Sequence, residues 1–345
     1  MGRKTVKACF ATAEEVKKIN PENLDLIEQF IEYYEATDHS EKSVKVTRSN
    51  LNIFFVWLMK NRKNKDFCEI KKRDILSFQS YLLKQQVSPA RVRGLKSSLS
   101  SLSNYIEDML DEEEKWERFK NIVNKIPSPV LAPVREKTVL EDVEIQKLLD
   151  YLVEKKQYQK ACALALGWST GARKSELLRF KVSYIKDKNL RFGGALYRTD
   201  KIKTKGRGKQ GKQLERYVLA NKFKKYFDLW MEERKRLGIP SKEDSLFIVK
   251  RQGKLEPMKT TTLDSYAKTF SRLLDKEFYW HSLRHNFTTE LLRAGIPTEV
   301  VKQLVGWESA DMVGVYDDRP KDEILGQYFT EDGIKQLEAK GLGDL

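Results

Sequence analysis

The sequence is poor in the residues that build disulfide frameworks and metal centres. Its 345 residues include only three cysteines and three histidines, and neither set has the close spacing of metal ligands. Cys9, Cys68 and Cys162 lie far apart and are odd in number, which argues against a disulfide framework and for a reducing compartment. We therefore expect no metal site. The phosphate-binding pattern GxxxxGKS/T is missing as well, so we expect no nucleotide cofactor.

Long apolar runs are also missing. None approaches the roughly 18 residues that a membrane span requires. Residues 1–20 carry charges where a signal peptide needs an apolar centre. A cytoplasmic protein that does not enter membranes is therefore expected.

Acidic residues are too few to balance the basic ones. Lys and Arg number 65 against 50 Asp and Glu, a net charge of +15, and the basic residues are spread along the chain. A polyanionic partner is the leading explanation for this excess. The alternative is a basic soluble protein with no nucleic-acid role.

The length favours two domains, and the apolar pattern indicates where they divide. Helical periodicity begins at Asn23 and predicts a helical bundle over residues 23–126. Three prolines in residues 127–136 predict an extended linker. The remaining predictions are a flexible arm over residues 1–22, a second domain over 137–320 and an amphipathic tail over 321–345.

The clearest predicted helix of the bundle starts after Ser88, a favourable N-cap, with Pro89 at its first position. The face opposite its apolar stripe mixes basic residues with serines, and short hydroxyls suit phosphate contacts. The candidate DNA contacts on this face are Arg91, Arg93 and Lys96, beside Ser97 and Ser98. An ordinary solvated face is the alternative.

The second half predicts helices with short strands at 189–198, 214–219 and 246–249. The fold class expected is therefore mainly α with a small antiparallel β-sheet. Residues 201–212 contain six basic residues and three glycines, which predicts a mobile cationic hairpin that reaches into a charged groove. Its candidate DNA contacts are Lys203, Arg207 and Lys209.

Two histidines fall in one short stretch, His281-Ser282-Leu283-Arg284-His285. On a helix, His281 and Arg284 share a face and form a compact site for an anion. Attack on a phosphodiester places extra negative charge on its non-bridging oxygens, and two guanidiniums can hold those oxygens bidentately. Arg173 and Arg284 fit this role, and the alternative for each is a structural ion pair.

Four pieces together resemble the tyrosine recombinase, or phage integrase, family. They are Thr170-Gly171-Ala172-Arg173-Lys174-Ser175-Glu176-Leu177, His281-Ser282-Leu283-Arg284-His285, Leu304-Val305-Gly306-Trp307, and Tyr316 nine residues after the tryptophan. Their order and spacing agree with the family over most of residues 140–320. The resemblance implies that the bundle is a SAM-like core-binding domain and that the second domain is the catalytic domain, in a two-domain layout.

The resemblance implies a role for each of these residues. Tyr316 is the nucleophile, and because a phenol loses its proton near pH ~10 in water, His281 is expected to assist as a base. A hairpin lysine protonates the leaving 5′ oxygen; Lys205 is the first choice and Lys203 the alternative. Further candidates are Trp307 as a hydrogen-bond donor or packing residue, Glu176 as the residue that orients Arg173, and His285, which either supports the site or touches the phosphate.

The implied function is a site-specific DNA recombinase that forms a 3′-phosphotyrosyl intermediate and exchanges strands through a Holliday junction. The implied partners are double-stranded DNA and a homotetramer on DNA, near the nucleoid or in a host cytoplasm if the gene is viral. A tail that docks on a neighbouring protomer and an accessory DNA-bending or directionality factor stay open. The alternatives are a type IB topoisomerase and a DNA-binding protein with a decayed site.

Overall fold

The structure is a computed structural model that describes residues 10–131, 138–204, 206, 208, 211–326, 329–330 and 333–334. Helices contain 59% of the described residues and strands contain 8%, and the sheets are small and antiparallel. The predicted fold class is therefore confirmed. The chain divides into two compact units, one formed by residues 1–137 and 206–211 and one formed by residues 138–205 and 212–345.

The first unit is a helical bundle. Its helices are α1 (Ala13–Val16), α2 (Pro21–Ala36), α3 (Glu41–Asn61), α4 (Lys72–Lys84) and α5 (Pro89–Met109), with short 3₁₀ turns at Phe67–Glu69 and Val123–Lys125. The start of α5 is confirmed: the Ser88 hydroxyl accepts from the Arg91 amide at 3.2 Å, and Pro89 follows the cap. The buried side chains of α2 to α5 form one core that includes Phe30, Phe54 and Leu99.

The N-terminal end of the bundle differs from the sequence-based expectation. Residues 10–22, predicted as part of a flexible arm, belong to the bundle, since Ile19 is buried in its core and α1 and α2 begin within this range. Residues 1–9 lie outside the described residues. At the other end, Pro127 and Pro129 of the predicted linker use their backbone carbonyls to accept hydrogen bonds from Gln79 and Arg93.

The second unit combines helices with short strands. Its helices are α6 (Asp142–Glu154), α7 (Tyr158–Thr170), α8 (Lys174–Leu177), α9 (Ala220–Arg236), α10 (Thr260–Leu274), α11 (Trp280–Arg293), α12 (Thr298–Val305), α13 (Asp311–Tyr316) and α14 (Lys321–Leu325). Its strands are β1 (Leu190–Arg191), β2 (Leu196–Arg198), β3 (Ile202–Thr204), β4 (Lys212–Leu214), β5 (Tyr217–Leu219), β6 (Ile248–Arg251), β7 (Lys254–Pro257), β8 (Phe329–Thr330) and β9 (Gly333–Ile334).

The strands form antiparallel sheets: a three-stranded sheet in the order β1-β2-β5, and the pairs β3–β4, β6–β7 and β8–β9. The predicted strand 189–198 is corrected to a hairpin, because residues 192–194 have positive φ and reverse the chain. The predicted strand 246–249 is likewise one arm of a hairpin that turns at Gln252-Gly253. β2 pairs with β5 so that Tyr197 lies opposite Val218.

The apolar side chains of the second unit fall into two clusters. The larger centres on α7, whose small side chains allow α9 and α11 to pack closely against it. The smaller cluster joins α11, α12 and α13, and it consists of Phe287, Leu292, Val301, Val305, Trp307, Val313 and Tyr316. The predicted nucleophile is thus a core residue of the smaller cluster, which fixes the position of its ring.

Candidate active site

Arg173 lies at the sharp corner between α7 and α8. Gly171 ends α7 in the left-handed conformation, with φ of 57°, and a Cβ there would come within 2.7 Å of the Phe287 ring. Glycine is therefore required by both backbone and space. The Thr170 hydroxyl accepts from the Ala172 amide at 3.1 Å and tightens the same corner. The corner directs the Arg173 side chain towards Glu176 and leaves it about a quarter exposed, at 27%.

Glu176 is completely buried and binds two arginines. Its carboxylate accepts from the Arg173 amide at 3.1 Å and from the Arg173 guanidinium at 2.9 Å, and it also accepts from the guanidinium of Arg216. Burial by itself raises the pKa of Glu176, but the charge of Arg216 and the contacts with Arg173 outweigh it, so the pKa is lowered. The carboxylate is therefore charged at neutral pH and binds both the backbone amide and the guanidinium of Arg173.

Arg284 lies on α11 and has no exposed surface. Its guanidinium donates to the Gly171 carbonyl at 2.8 Å and to the Val305 carbonyl at 3.1 Å. These carbonyls lie at the C-terminal ends of α7 and α12, where the helix dipole favours a cation. Burial, followed by the charges of Arg173 and Arg216, lowers the pKa of Arg284. Its Nε is buried and has no hydrogen-bond partner in the described part of the chain.

Tyr316 is the last residue of α13, and its hydroxyl lies 2.6 Å from Nε2 of His281. Its ring stacks on His285, with 4.4 Å between centroids, and lies 4.8 Å from the Trp307 ring. The Arg284 guanidinium lies over the rings of Trp307 and Tyr316, at 4.9 Å and 5.7 Å. The backbone is held too, because the Thr289 hydroxyl donates to the Tyr316 carbonyl at 3.3 Å. Tyrosine, histidine and arginine thus meet at one place.

His281 is suited to accept the tyrosine proton. Loss of hydration, followed by electrostatic interactions with His285, Arg284 and Arg173, lowers the pKa of His281 to about 4. Its imidazole is therefore neutral at neutral pH. In the tautomer that carries its proton on Nδ1, Nε2 accepts from the Tyr316 hydroxyl.

A pH titration tests this environment. We expect the imidazole ¹⁵N signals of His281, assigned by their loss in His281→Gln, to titrate near pH 4 in the DNA-free protein. The unfolded chain takes up this proton near pH ~6.5, so between about pH 6.5 and 4 it binds more protons than the folded chain. Stability contributed by His281 is present above this window and is lost as the pH falls through it. A titration midpoint at or above pH ~6.5 would contradict the assignment.

His285 and Trp307 frame the tyrosine. His285 Nδ1 lies 3.5 Å from the buried carboxylate of Asp318, just beyond α13, so this histidine supports the end of the tyrosine helix. Trp307 is buried, and its indole nitrogen has no partner within the described residues. A buried N–H without a partner is unusual. The Trp307 ring lies under the Arg284 guanidinium and packs against Tyr316.

The structure describes Lys203 but not Lys205, the two candidates for the general acid. Lys205, the first choice for the general acid, lies outside the described residues, as do Arg207 and Lys209. Lys203 lies at an exposed position of β3, opposite Gln213, and its carbonyl accepts a hydrogen bond from Arg179. The choice between Lys205 and Lys203 therefore stays a prediction.

The basic face of α5 is only partly exposed to solvent. Arg93 donates to the Pro129 carbonyl at 2.9 Å, and Lys96 donates to the Ile126 carbonyl and to Ser128. Both side chains therefore bind the proline segment of their own unit. Ser98, counted with the phosphate face, is buried and accepts from Asn50 at 2.8 Å. Arg91 instead lines a surface cavity with Lys42 and Lys45 of α3, which the sequence analysis missed.

Arg216 is a further residue of the site that was not predicted from the sequence. It is 1% exposed and donates both to Glu176 and to the Val305 carbonyl. A signal was available, since alternation in the segment 214–219 places Arg216 on the same face as Val218, which is fully buried. A charged residue at an inward position of a strand requires a partner.

Two negative findings complete the site. The described residues contain no group of three or more His, Cys, Asp or Glu side chains that could hold a metal ion. In the same residues, no helix is long and apolar enough to cross a membrane.

A helical bundle followed by an α+β unit in which a tyrosine meets a neutral histidine and buried arginines defines a class: enzymes that transfer DNA strands through a tyrosine. Comparison with known families agrees. The model described as "Phage integrase family" matches residues 138–323, more than half of the chain, and the model for the phage integrase N-terminal SAM-like domain matches residues 26–113. The chain therefore belongs to the phage integrase family.

Individual relatives are distant but similar over most of their length. The chain is 25% identical over 319 residues to the SPbeta prophage-derived recombinase-like protein YomM of Bacillus subtilis, covering 91% of this chain and 92% of that one. It is 25% identical over 304 residues to the tyrosine recombinase XerD of Oceanobacillus iheyensis, covering 84% and 91%.

Solved structures show the same fold. The Tn1549 transposon integrase in complex with transposon right end DNA matches with a TM-score of 0.61 at 18% identity, covering 88% of this chain and 98% of that one. XerH recombinase in a post-cleavage complex with its palindromic substrate matches with a TM-score of 0.60 at 20% identity, covering 83% and 78%.

Proposed function

We propose that the protein is a site-specific DNA recombinase that cleaves and rejoins duplex DNA through a covalent bond to Tyr316. The observation that carries the proposal is the 2.6 Å contact between the Tyr316 hydroxyl and His281, directly beside the buried guanidinium of Arg284. The relatives named as tyrosine recombinases support the same activity.

In the cleavage step, the Tyr316 oxygen attacks the phosphorus of the scissile phosphodiester while its proton passes to Nε2 of His281. The new bond joins the tyrosine oxygen to the 3′ phosphate, and the bond from phosphorus to the 5′ oxygen breaks. A neutral histidine is the form required for this step, and the low pKa of His281 keeps it neutral at physiological pH. The bond energy stays in the phosphotyrosine, so religation needs no cofactor.

The charge that develops on the non-bridging oxygens is held by Arg173 and Arg284, with Trp307 as a further donor. Arg284 is pre-positioned by two backbone carbonyls and Arg173 by Glu176, so neither has to reorganise as the charge develops. The leaving 5′ oxygen needs a proton, which Lys205 supplies, or Lys203 as the alternative. His285 supports the tyrosine helix through Asp318.

The same proposal names the partners. The protein acts on double-stranded DNA in the cytoplasm as a homotetramer, and exchanges strands through a Holliday junction. The surface formed by Arg91, Lys42 and Lys45 contacts DNA phosphates from the first unit. The start of the tail, α14, is held to α11 of the same chain by the ion pair between Arg293 and Glu323, and the residues after α14 dock on a neighbouring protomer.

The experiment uses duplexes that carry the direct repeats at the borders of the genetic element encoding the protein. Each duplex is nicked at one of a series of successive positions, so that cleavage near the nick releases a short oligonucleotide and traps the covalent complex. We expect an adduct that survives denaturation in SDS and is destroyed by protease. Mass spectrometry of its peptides is expected to locate the nucleotide on Tyr316.

An adduct on a residue other than Tyr316 would refute the assignment of the nucleophile. Binding to these duplexes with no adduct at any nick position would refute the recombinase proposal and favour a DNA-binding protein without activity.

A further inference from the structure

Arg216 is a charged side chain that the chemistry above does not use, although it is as deeply buried as Arg284. One of its terminal nitrogens donates to Glu176, and the other donates to the Val305 carbonyl at 2.6 Å. Both terminal nitrogens of Arg216 bind protein oxygens, as those of Arg284 do. Of the two, however, only Arg284 has a described contact with the Tyr316 ring, at 5.7 Å. Arg216 is therefore not assigned to the phosphate. Its effect on the reaction must pass through its neighbours.

Those neighbours are the two groups that fix the phosphate-binding arginines. Glu176 holds Arg173 through its other carboxylate oxygen, at 2.9 Å. The Val305 carbonyl also accepts from Arg284, at 3.1 Å. A continuous chain of contacts therefore runs from Arg173 through Glu176, Arg216 and the Val305 carbonyl to Arg284, with Arg216 at its centre.

The same chain of contacts explains why a glycine precedes Trp307. Gly306 ends α12 with φ of 75°, and a Cβ on it would lie 2.9 Å from the guanidinium of Arg216 and 2.7 Å from Leu214. Only glycine allows the α12 terminus to approach Arg216 closely enough for the Val305 carbonyl to accept its hydrogen bond. Trp307, the next residue, is thereby placed beside Arg284 and Tyr316.

We infer that Arg216 is a positioning residue of the proposed recombinase, which sets the relative placement of Arg173 and Arg284 by binding Glu176 and the Val305 carbonyl at once. This inference rests on the proposed function, because it concerns the spacing of the two arginines that hold the scissile phosphate. Small displacements of such groups have large effects on rate, since transition-state stabilisation depends on geometry that is fixed in advance.

The test is single-turnover cleavage of the nicked duplexes at saturating protein, compared between wild type and Arg216→Met. We expect the cleavage rate constant to fall by ~10²-fold, while the dissociation constant of the duplex stays within about threefold, because Arg216 does not reach the DNA. A residue needed only for folding would change the amount of active protein but not the rate constant of the folded fraction.

Arg234→Met is the matched control. Arg234 is also a buried arginine of the second unit, 5% exposed, and it donates to the carbonyls of Ser245, Leu246 and Glu243. Among the described residues it makes no contact with the proposed site, so its loss should lower the melting temperature but leave the cleavage rate constant unchanged. Both variants are compared at a temperature where thermal melting shows each to be folded.

Two further variants test whether Arg216 must bind both of its acceptors and whether it acts through Glu176. Arg216→Lys keeps the charge but reaches only one of the two acceptors at a time, so we expect cleavage between that of wild type and Arg216→Met. The double variant Glu176→Gln with Arg216→Met should cleave no more slowly than the slower single variant, because both changes interrupt the same chain of contacts.

The outcomes distinguish this inference from the proposed function. If wild type forms no adduct on any duplex, the proposed function fails. If wild type cleaves and Arg216→Met and Arg216→Lys cleave at its rate, the proposed function stands and Arg216 has no positioning role. Multiplicative losses in the double variant would show that Arg216 does not act through Glu176.

Discussion

Replacement of Tyr316 by phenylalanine is expected to abolish the covalent adduct while the protein still folds and binds DNA. The hydroxyl oxygen is the only atom of the Tyr316 side chain that can bond to phosphorus. Among the described residues, the rings that contact it are those of His281, His285 and Trp307, and none of these carries an oxygen. The phenylalanine ring keeps the stacking on His285. Only the hydrogen bond to His281 is lost, which costs about 1 kcal/mol of stability.

The measurement is the fraction of nicked duplex that becomes attached to protein, read on a denaturing gel, together with a binding isotherm and a melting curve. Tyr151→Phe is the matched control, because Tyr151 lies on α6 of the same unit with 39% exposure and is not part of the site. It should form the adduct at the wild-type rate. An adduct of normal yield with Tyr316→Phe would place the nucleophile elsewhere and would overturn the mechanism.

The sequence predicted most of this site because its residues occur in short local patterns. Gly171, Arg173 and Glu176 lie within six residues of one another, and His281 and Arg284 lie within four. Local geometry alone therefore places the members of each set close together. The start of α5 at Ser88 and Pro89 was predictable for the same reason, since a cap depends on residues adjacent in sequence.

Contacts between distant residues were not predictable in this way. Arg216 lies 40 residues from Glu176 and 89 from Val305, and only the folded chain shows that all three meet. Arg93 and Lys96 are a second example of contacts with a distant segment. Their helical face was correctly identified, but the segment that occupies their side chains lies about 30 residues further along the chain. A basic face read from sequence does not show which of its charges are already bound by protein carbonyls.

Exchange of Arg284 for lysine is expected to slow cleavage by ~10²- to 10³-fold, as for the loss of a donor that stabilises developing charge. Lysine keeps a positive charge but presents it as a single point. The Arg284 guanidinium binds the Gly171 and Val305 carbonyls, and its buried Nε, which has no partner in the described residues, is the donor proposed for a phosphate oxygen. An ammonium that satisfied both carbonyls would be drawn away from the phosphate. One that turned to the phosphate would leave a buried carbonyl without its donor, at a cost of about 1–3 kcal/mol.

Single-turnover cleavage and thermal melting of the same preparations measure both effects. Arg293→Lys is the control on the same helix, because Arg293 is partly exposed and binds Glu290 and Glu323. It should change neither the rate nor the melting temperature appreciably, since exposed ion pairs contribute about 0–1 kcal/mol. Arg284→Lys should lower both. Wild-type cleavage by Arg284→Lys would mean that charge alone suffices at this position, and the two helix-end carbonyls would then serve stability and not the reaction.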